Sequence, residues 1–229
     1  MSSPKISVII PAYNCAKTIG RCLNGLFAQT LQDFEVIVVN DGSKDDLDGA
    51  ISPWLARIKY IKQANSGAPT ARNNGFKESV GEYVIFFDAD IVAKPSLLAK
   101  LLKALEGNSD ASYAYSSFIF GWKRFKLWPF DAGKLRQMPY IHTSALIRRE
   151  HFPGFDPSLK KFQDWDLWLT MLEQGHQGVW VNEVLFRAIS GGTMSSWLPS
   201  IFYRLPIRSK NKDKYFAARD IIKAKHNLP

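Results

Sequence analysis

One alternation restricts this chain more than any other feature. Through its first hundred residues, short and wholly apolar runs trade places with longer segments whose apolar residues recur at helical spacing. KISVII (5–10) lacks the in–out pattern of a half-exposed strand and predicts a strand buried on both faces, and FEVIVV (34–39) and YVIFF (83–87) predict further strands. IKYIK (58–62) predicts a weaker strand between the second and the last of these. The segment CAKTIGRCLNGLFAQT puts Ile19, Leu23 and Leu26 on one stripe with Phe27 beside it. APTARNNGFKESV (68–80) predicts a second helix, stopped by Gly81, and Pro95 opens a third through LLAKLLKALE. Buried strands joined by amphipathic crossovers define the α/β class: one Rossmann-like, mostly parallel sheet flanked by helices. With 229 residues, 46% of them hydrophobic, the chain can bury one sizeable core.

The second half is less regular. SYAYSSFIF (112–120), IHTSALIRR (141–149) and GVWVNEVLFRAI (178–189) predict further strands. FQDWDLWLTMLEQG (162–175) predicts a helix ended by Gly175, with Leu167, Leu169 and Leu172 facing inward. Past Gly192 comes a short apolar piece, SSWLPSIFYRLP, and then a basic helical segment, KDKYFAARDIIKAK. The expected division is a domain over 1–192 and an amphipathic, basic helical extension over 193–229.

Three of the predicted strands stop in unusual polar sequence: PAYN (11–14), NDGSKDD (40–46) and DAD (88–90). In a parallel sheet, ligands bind beyond the carboxyl ends of the strands, so three such endings imply one shared site. Asp88 and Asp90 stand one residue apart, and two like charges so close repel one another. A hard divalent cation, Mg²⁺ or Mn²⁺, would relieve that repulsion while bridging phosphate oxygens. The fitting ligand is therefore a nucleoside diphosphate with its metal. Asp41 can accept from an imide N–H or a ribose hydroxyl, Gly42 allows close backbone approach, and Tyr13 offers an aromatic face to a base. Arg72 can reach base or phosphate with its planar fork. Taken singly, Asp41-Gly42-Ser43 would be a turn, Tyr13 a packing residue and Arg72 a solvated helix position; their joint order favours a site. Asp164, in the first turn of the 162–175 helix, is either an acid favoured by the helix dipole or a general base aimed at that site.

These pieces resemble the family-2 glycosyltransferases of the GT-A fold. The matching segments are SVIIPAYN (7–14), FEVIVVNDGSKDD (34–46), NSGAPTARNNGF (65–76), GEYVIFFDAD (81–90), TSALIRRE (143–150) and GFDPSLKKFQDWDLWLTMLEQG (154–175). The resemblance implies an inverting transfer of a sugar from a nucleotide-diphosphate sugar, a UDP-sugar above all, to an acceptor hydroxyl. It implies a nucleotide site from Pro11, Ala12, Tyr13, Asn14, Asp41, Gly42, Arg72, Asp88 and Ala89. Asp90, with Asp88, would hold the divalent metal, and Asp164 would be the catalytic base. His142, Thr143 and Trp165 would lie on the acceptor side. This chain departs from the family pattern in three places. Gln163-Asp164 stands where relatives carry Glu-Asp, Asn40-Asp41 where they carry Asp-Asp, and Ile189 where many carry a histidine two residues after Arg187. The first departure makes an inactive nucleotide-sugar-binding protein the alternative. A nucleotidyltransferase is disfavoured because PAYNCAK has no glycine before Gly20.

The formal charge of +9 collects in the C-terminal stretch and in GWKRFK (121–126), away from the nucleotide motifs. Such surfaces suit an anionic membrane face, and the basic tail is an expected peripheral contact for a saccharide or lipid-linked acceptor. No recognised nucleic-acid module accompanies the charge, so nucleic acid is not an expected partner. Two cysteines make no disulfide framework, and the start of the chain has no signal-peptide pattern. The expected location is therefore the cytoplasm or the inner membrane face.

Overall fold

The computed structural model describes residues 3–189 and 210–229. A nine-stranded mixed sheet runs through it in the order β3-β2-β1-β4-β8-β6-β9-β5, with β7 hairpinned onto β6. β1 (Ile6–Ala12), β2 (Phe34–Asp41), β3 (Lys59–Gln63) and β4 (Tyr83–Phe86) are mutually parallel. β8 (Leu146–Arg148) is antiparallel to both β4 and β6 (Ala111–Phe120). β9 (Gln177–Ala188) is parallel to β6, and β5 (Ile91–Ala93) closes the far edge antiparallel to β9.

The helices cover both faces, which is why the inner strands are apolar on nearly every residue between their ends. Helix α1 (Ala16–Phe27) buries Ile19, Cys22, Leu23 and Leu26, the spacing of one helical stripe. Helix α3 (Ala68–Lys77) lies so close to the sheet that a Cβ on Gly75 would come 2.5 Å from Ile9 Cγ2. Only glycine fits that approach. A short helix α2 (Leu47–Ile51) leads into a 3₁₀ turn, and α4 (Leu97–Glu106) presents Leu97, Leu98, Leu101, Leu102 and Leu105 to the core. Helix α4 starts two residues after Pro95, with Ser96 at its N-cap. Helix α5 (Ala132–Gln137) follows the β6–β7 hairpin, β7 being Lys123–Phe125.

Helix α6 (Gln163–Glu173) differs from the expected pattern in which residues it buries. Trp165, Asp166 and Trp168 are buried with Leu167 and Leu169, while Leu172 is only partly covered. The predicted strand over 141–149 is also shorter, because residues 141–145 leave the sheet. Ile141 O accepts from the Trp168 indole (2.9 Å), and the Ser144 hydroxyl donates to Phe86 O (3.0 Å). Those bonds hold the segment as a loop over the end of β4.

The C-terminal helix (Lys210–Lys225) docks on α6. Ile222 is fully buried, and His226, just past the helix, lies between Asp166 Oδ1 and Glu173 Oε1, each 2.8 Å away. Lys225 pairs with Asp166 and Asp156. Both side-chain partners of His226 are distant in sequence, so its local pattern does not signal them. The expected 192/193 boundary and SSWLPSIFYRLP lie outside the described residues. Among the described residues, no helix is long and apolar enough to cross a membrane.

Candidate active site

The parallel register Ala12↔Asn40 and Ile9↔Phe86 brings the ends of β1, β2 and β4 to one edge of the sheet. The loops that follow are stitched together there. Asn14, at φ +50°, accepts from Lys44 N with its side chain (2.8 Å), and its own N–H donates to Ser43 Oγ (3.1 Å). Asp45 accepts from Ala16 N at 2.8 Å. The β1 ending PAYN and the β2 ending NDGSKDD thus form one surface, with Pro11 and Tyr13 half-buried, Ala12 buried and Asn14 exposed.

Asp41 and Arg72 serve the protein more directly than expected. The Asp41 carboxylate accepts from Ser66 N (2.7 Å), Gly67 N (2.8 Å) and Gln63 Nε2 (2.8 Å), and the residue is 3% exposed. Its oxygens fold the β3–α3 loop instead of standing open to a base. Gly42, at φ +70°, sits where a Cβ would come 2.8 Å from Asn65 N. Arg72 is buried and donates to Asp88 Oδ1 (2.7 Å) and Gln163 Oε1 (2.8 Å). It is turned inward and ties the end of β4 to the start of α6.

Two of the three departures, Gln163 and Asn40, acquire physical reasons from this network. Gln163 is a neutral amide satisfied at both ends, accepting from Arg72 and donating to Leu159 O at 3.0 Å. A carboxylate could not make the second bond. Asn40 donates to the Tyr60 hydroxyl (2.7 Å), which itself donates to Asp48 (2.5 Å). An aspartate at 40 would be a second acceptor competing for that one proton. Ile189 lies at the site through its backbone, its N–H donating to Asp90 O at 3.0 Å, and Arg187 donates to Gly121 O at 2.6 Å.

The carboxylates separate electrostatically. Burial alone would raise the Asp88 carboxyl, but Arg72, then His142, outweigh it and hold the group below its ordinary range. Burial, with the Asp88 charge beside it, pushes Asp90 up to about 6. Among the described residues no cation pairs with Asp90, and no cluster of three His, Cys, Asp or Glu side chains is formed. A two-carboxylate donor set with one uncompensated member fits a divalent cation that completes its shell with substrate oxygens and water. Ala89 lies buried between the two aspartates.

Asp164 opens α6, accepting from Trp165 N at 2.9 Å. Burial raises its carboxyl against the lowering effect of His142, the Trp165 N–H and Arg72. The His142 imidazole has Phe118 and Phe186 at 5.4 and 5.2 Å and Asp88 Oδ2 3.9 Å from Nε2. Because Ser144 N donates to Nδ1 (3.1 Å), the ring proton of the neutral form sits on Nε2. Burial lowers its pKa, partly opposed by Asp88 and Asp164. Thr143 is buried beside it. Trp165 offers no surface to an acceptor: it is 1% exposed and its indole donates to Leu135 O (2.6 Å), bracing α5. Arg72, Gln163, Ser144 and His142 thus form a second tier behind Asp88 and Asp164.

Asp90 makes a first expected result. A carboxyl raised by folding destabilises the native state as pH climbs from about 4 to the raised value, where the native form must give up its proton. Asp90→Asn, assayed with a chelator near pH 7, raises the thermal midpoint by roughly 2–4 °C, taking about 1 kcal/mol after solvent screening. The gain vanishes near pH 4. A variant that melts below wild type at both pH values would contradict this account.

A sheet of four parallel strands flanked by helices and extended by mixed strands, with a DxD sequence at the end of β4 and a carboxylate opening α6 across from it, is the GT-A architecture. The chain belongs to glycosyl transferase family 2, whose family model, described as "Glycosyl transferase family 2", matches residues 7–162. It is 36% identical over 124 residues to the uncharacterized glycosyltransferase YibD of Escherichia coli, covering 52% of this chain and 36% of that one. In fold it is similar to TarS of S. aureus in complex with UDP (TM-score 0.71, 20% identity, 97% of this chain and 70% of the other). It is also similar to the mannosyltransferase PcManGT of Pyrobaculum calidifontis in complex with GDP-Man and Mn²⁺ (TM-score 0.65, 20% identity, 86% and 59%). The chain spans about a third of the length of the curated relatives it matches.

Proposed function

We propose that this chain is an inverting glycosyltransferase domain that moves a sugar from a nucleotide-diphosphate sugar, UDP-linked by preference, to an acceptor hydroxyl. The observation that carries this reading is the convergence of the β1, β2 and β4 endings with Asp164, joined through Arg72, Asp88 and Gln163. The PAYN and DGS loops would seat the nucleoside, with Tyr13 toward the base. Asp90, with Asp88, would hold a divalent cation; when bound, it supplies positive charge to the departing diphosphate. Asp164 takes the acceptor proton as that oxygen attacks the anomeric carbon, and its raised carboxyl makes it the stronger base for doing so. A single displacement inverts the anomeric centre. His142, its protonated form disfavoured by burial and its ring backed by two phenylalanines, lines the acceptor side. The acceptor is a saccharide or a lipid-linked saccharide, and a cytoplasmic or inner-membrane location accords with it.

Gln163 does not argue for the inactive alternative. It occupies the Arg72 fork and leaves Asp164 in place.

The test is thermal stabilisation by UDP, GDP, CDP and dTDP, each with and without Mn²⁺, combined with release of nucleotide from donor sugars. A ligand at a hundred times its Kd adds about 2.7 kcal/mol, roughly 5–10 °C here. One nucleotide, UDP foremost, is expected to stabilise only with metal, and Asp90→Asn to lose that effect. Stabilisation without turnover on any acceptor would support the binding protein instead. No stabilisation by any nucleotide would end the donor-site reading.

A further inference from the structure

The β6–β7 hairpin ends in the turn Gly121-Trp122, and Trp122 is 87% exposed. An indole so bare is unusual, because its large apolar surface is normally covered. The turn is nonetheless held firmly. Gly121, at φ +57°, donates to Ala188 O (3.0 Å), and its own carbonyl accepts from Arg187 (2.6 Å). Arg124 and Lys126 beside it are exposed, and among the described residues neither is in an ion pair. Across residues 121–138 the chain carries five Lys or Arg against one Asp, and Met138 adds a second exposed apolar side chain. The lone acid, Asp131, is committed to capping α5.

We propose that this hairpin tip docks onto anionic lipid bilayers, with the Trp122 indole at the headgroup boundary and Arg124 and Lys126 against the lipid phosphates. A hairpin tip that joins a bare aromatic to exposed cations is the chemistry of an interfacial contact. Single-stranded nucleic acid would need a groove tracking its backbone and successive stacking faces, which one indole on a turn does not offer. The tip's position also matters: β6 pairs with β9, and Ile189 just beyond β9 bonds Asp90. A bilayer engaged here flanks the cleft from which a lipid-borne hydroxyl would enter. That consequence rests on the glycosyltransferase reading; the docking itself does not.

The test is co-sedimentation of the full chain with phosphatidylcholine vesicles, with and without phosphatidylglycerol, in the absence of nucleotide. Wild type is expected to sediment with the anionic vesicles and to be released by salt. Each surface cation removed weakens partition about fivefold, so Arg124→Gln with Lys126→Gln lowers it roughly 25-fold. Trp122→Ser is expected to lower it at unchanged charge and unchanged thermal midpoint. Lys77→Gln with Lys103→Gln, exposed positions elsewhere, is the charge-matched control and should keep its binding. Absence of binding by wild type, tip variants that bind as wild type, or equal loss in the control pair would each overturn the proposal. Because no nucleotide is present, failure here is separable from failure of the donor site.

Discussion

Replacing Asp164 with asparagine is expected to lower the rate of sugar transfer by a hundredfold or more while nucleotide binding stays at its wild-type strength. Proton removal by a positioned base contributes roughly 10²–10⁴ in rate, and asparagine has the shape of aspartate without the basicity. Its side-chain oxygen can still accept from Trp165 N, so the first turn of α6 keeps its cap. The nucleotide loops belong to β1, β2 and β4 and do not touch this position. A companion pH profile carries the same argument. Burial raises the Asp164 carboxyl, more than His142 and the neighbouring N–H lower it, and only the ionised form can take a proton. Turnover in wild type should therefore fall on the acid side at a pH above the ordinary carboxylate value. Burial moves the His142 imidazole the opposite way, downward, so the two groups shift in opposite directions. Turnover by Asp164→Asn within a few-fold of wild type would remove Asp164 from the chemistry.

Arg72→Met should be the most destabilising single change near the cleft, costing about 3 kcal/mol at neutral pH. Arg72 is 2% exposed and its fork holds Asp88 and Gln163 at once, with the Phe155 ring 5.1 Å from the guanidinium carbon. Removing one member of a buried ion pair leaves the other desolvated, at a cost of about 3–5 kcal/mol. The lower end applies because the Asp88 side chain is 31% exposed. The pH dependence has a definite sign. Asp88 is depressed in the folded state, against the upward pull of burial, so its contribution is present above about pH 4 and is lost on acidification through the folded value. The gap between wild type and variant, measured by urea denaturation, should be widest near neutrality and narrow as the pH falls below the ordinary carboxylate range. Arg72→Lys recovers only part of it, since an ammonium cannot reproduce the planar fork. Equal urea midpoints at neutral pH would refute the bridging role.

How much of this was legible beforehand depended on the range of the interactions. The buried strands β1, β2 and β4, the stripe of α1 and the leucine face of α4 all follow from periodicity, which is a local record of what each segment must bury. The shared site at three strand ends followed in the same way, because parallel strands of one sheet put like ends on one edge. The polar endings PAYN, NDGSKDD and DAD were therefore enough to mark where ligand chemistry would gather.

Partner choice was not local and could not be read. Asp41 was expected to face a ligand, yet three donors from residues 63–67 satisfy it. Arg72 bonds Gln163 across 91 residues of sequence, a partner that its local pattern does not signal. Trp165 and Trp168 lie on the core side of α6 because α5 and the 141–145 loop supply carbonyls for their indoles. The β6–β9 pairing, the shortening of β8 and the docking of His226 on Asp166 join segments whose own sequences are silent about one another. The sequence by itself determined which residues could form strands, helices and a nucleotide edge, since those depend on spacing along the chain. Only the tertiary structure decided which charges are paired and which are left over, because desolvation and hydrogen bonding act between groups that meet only once the chain has folded.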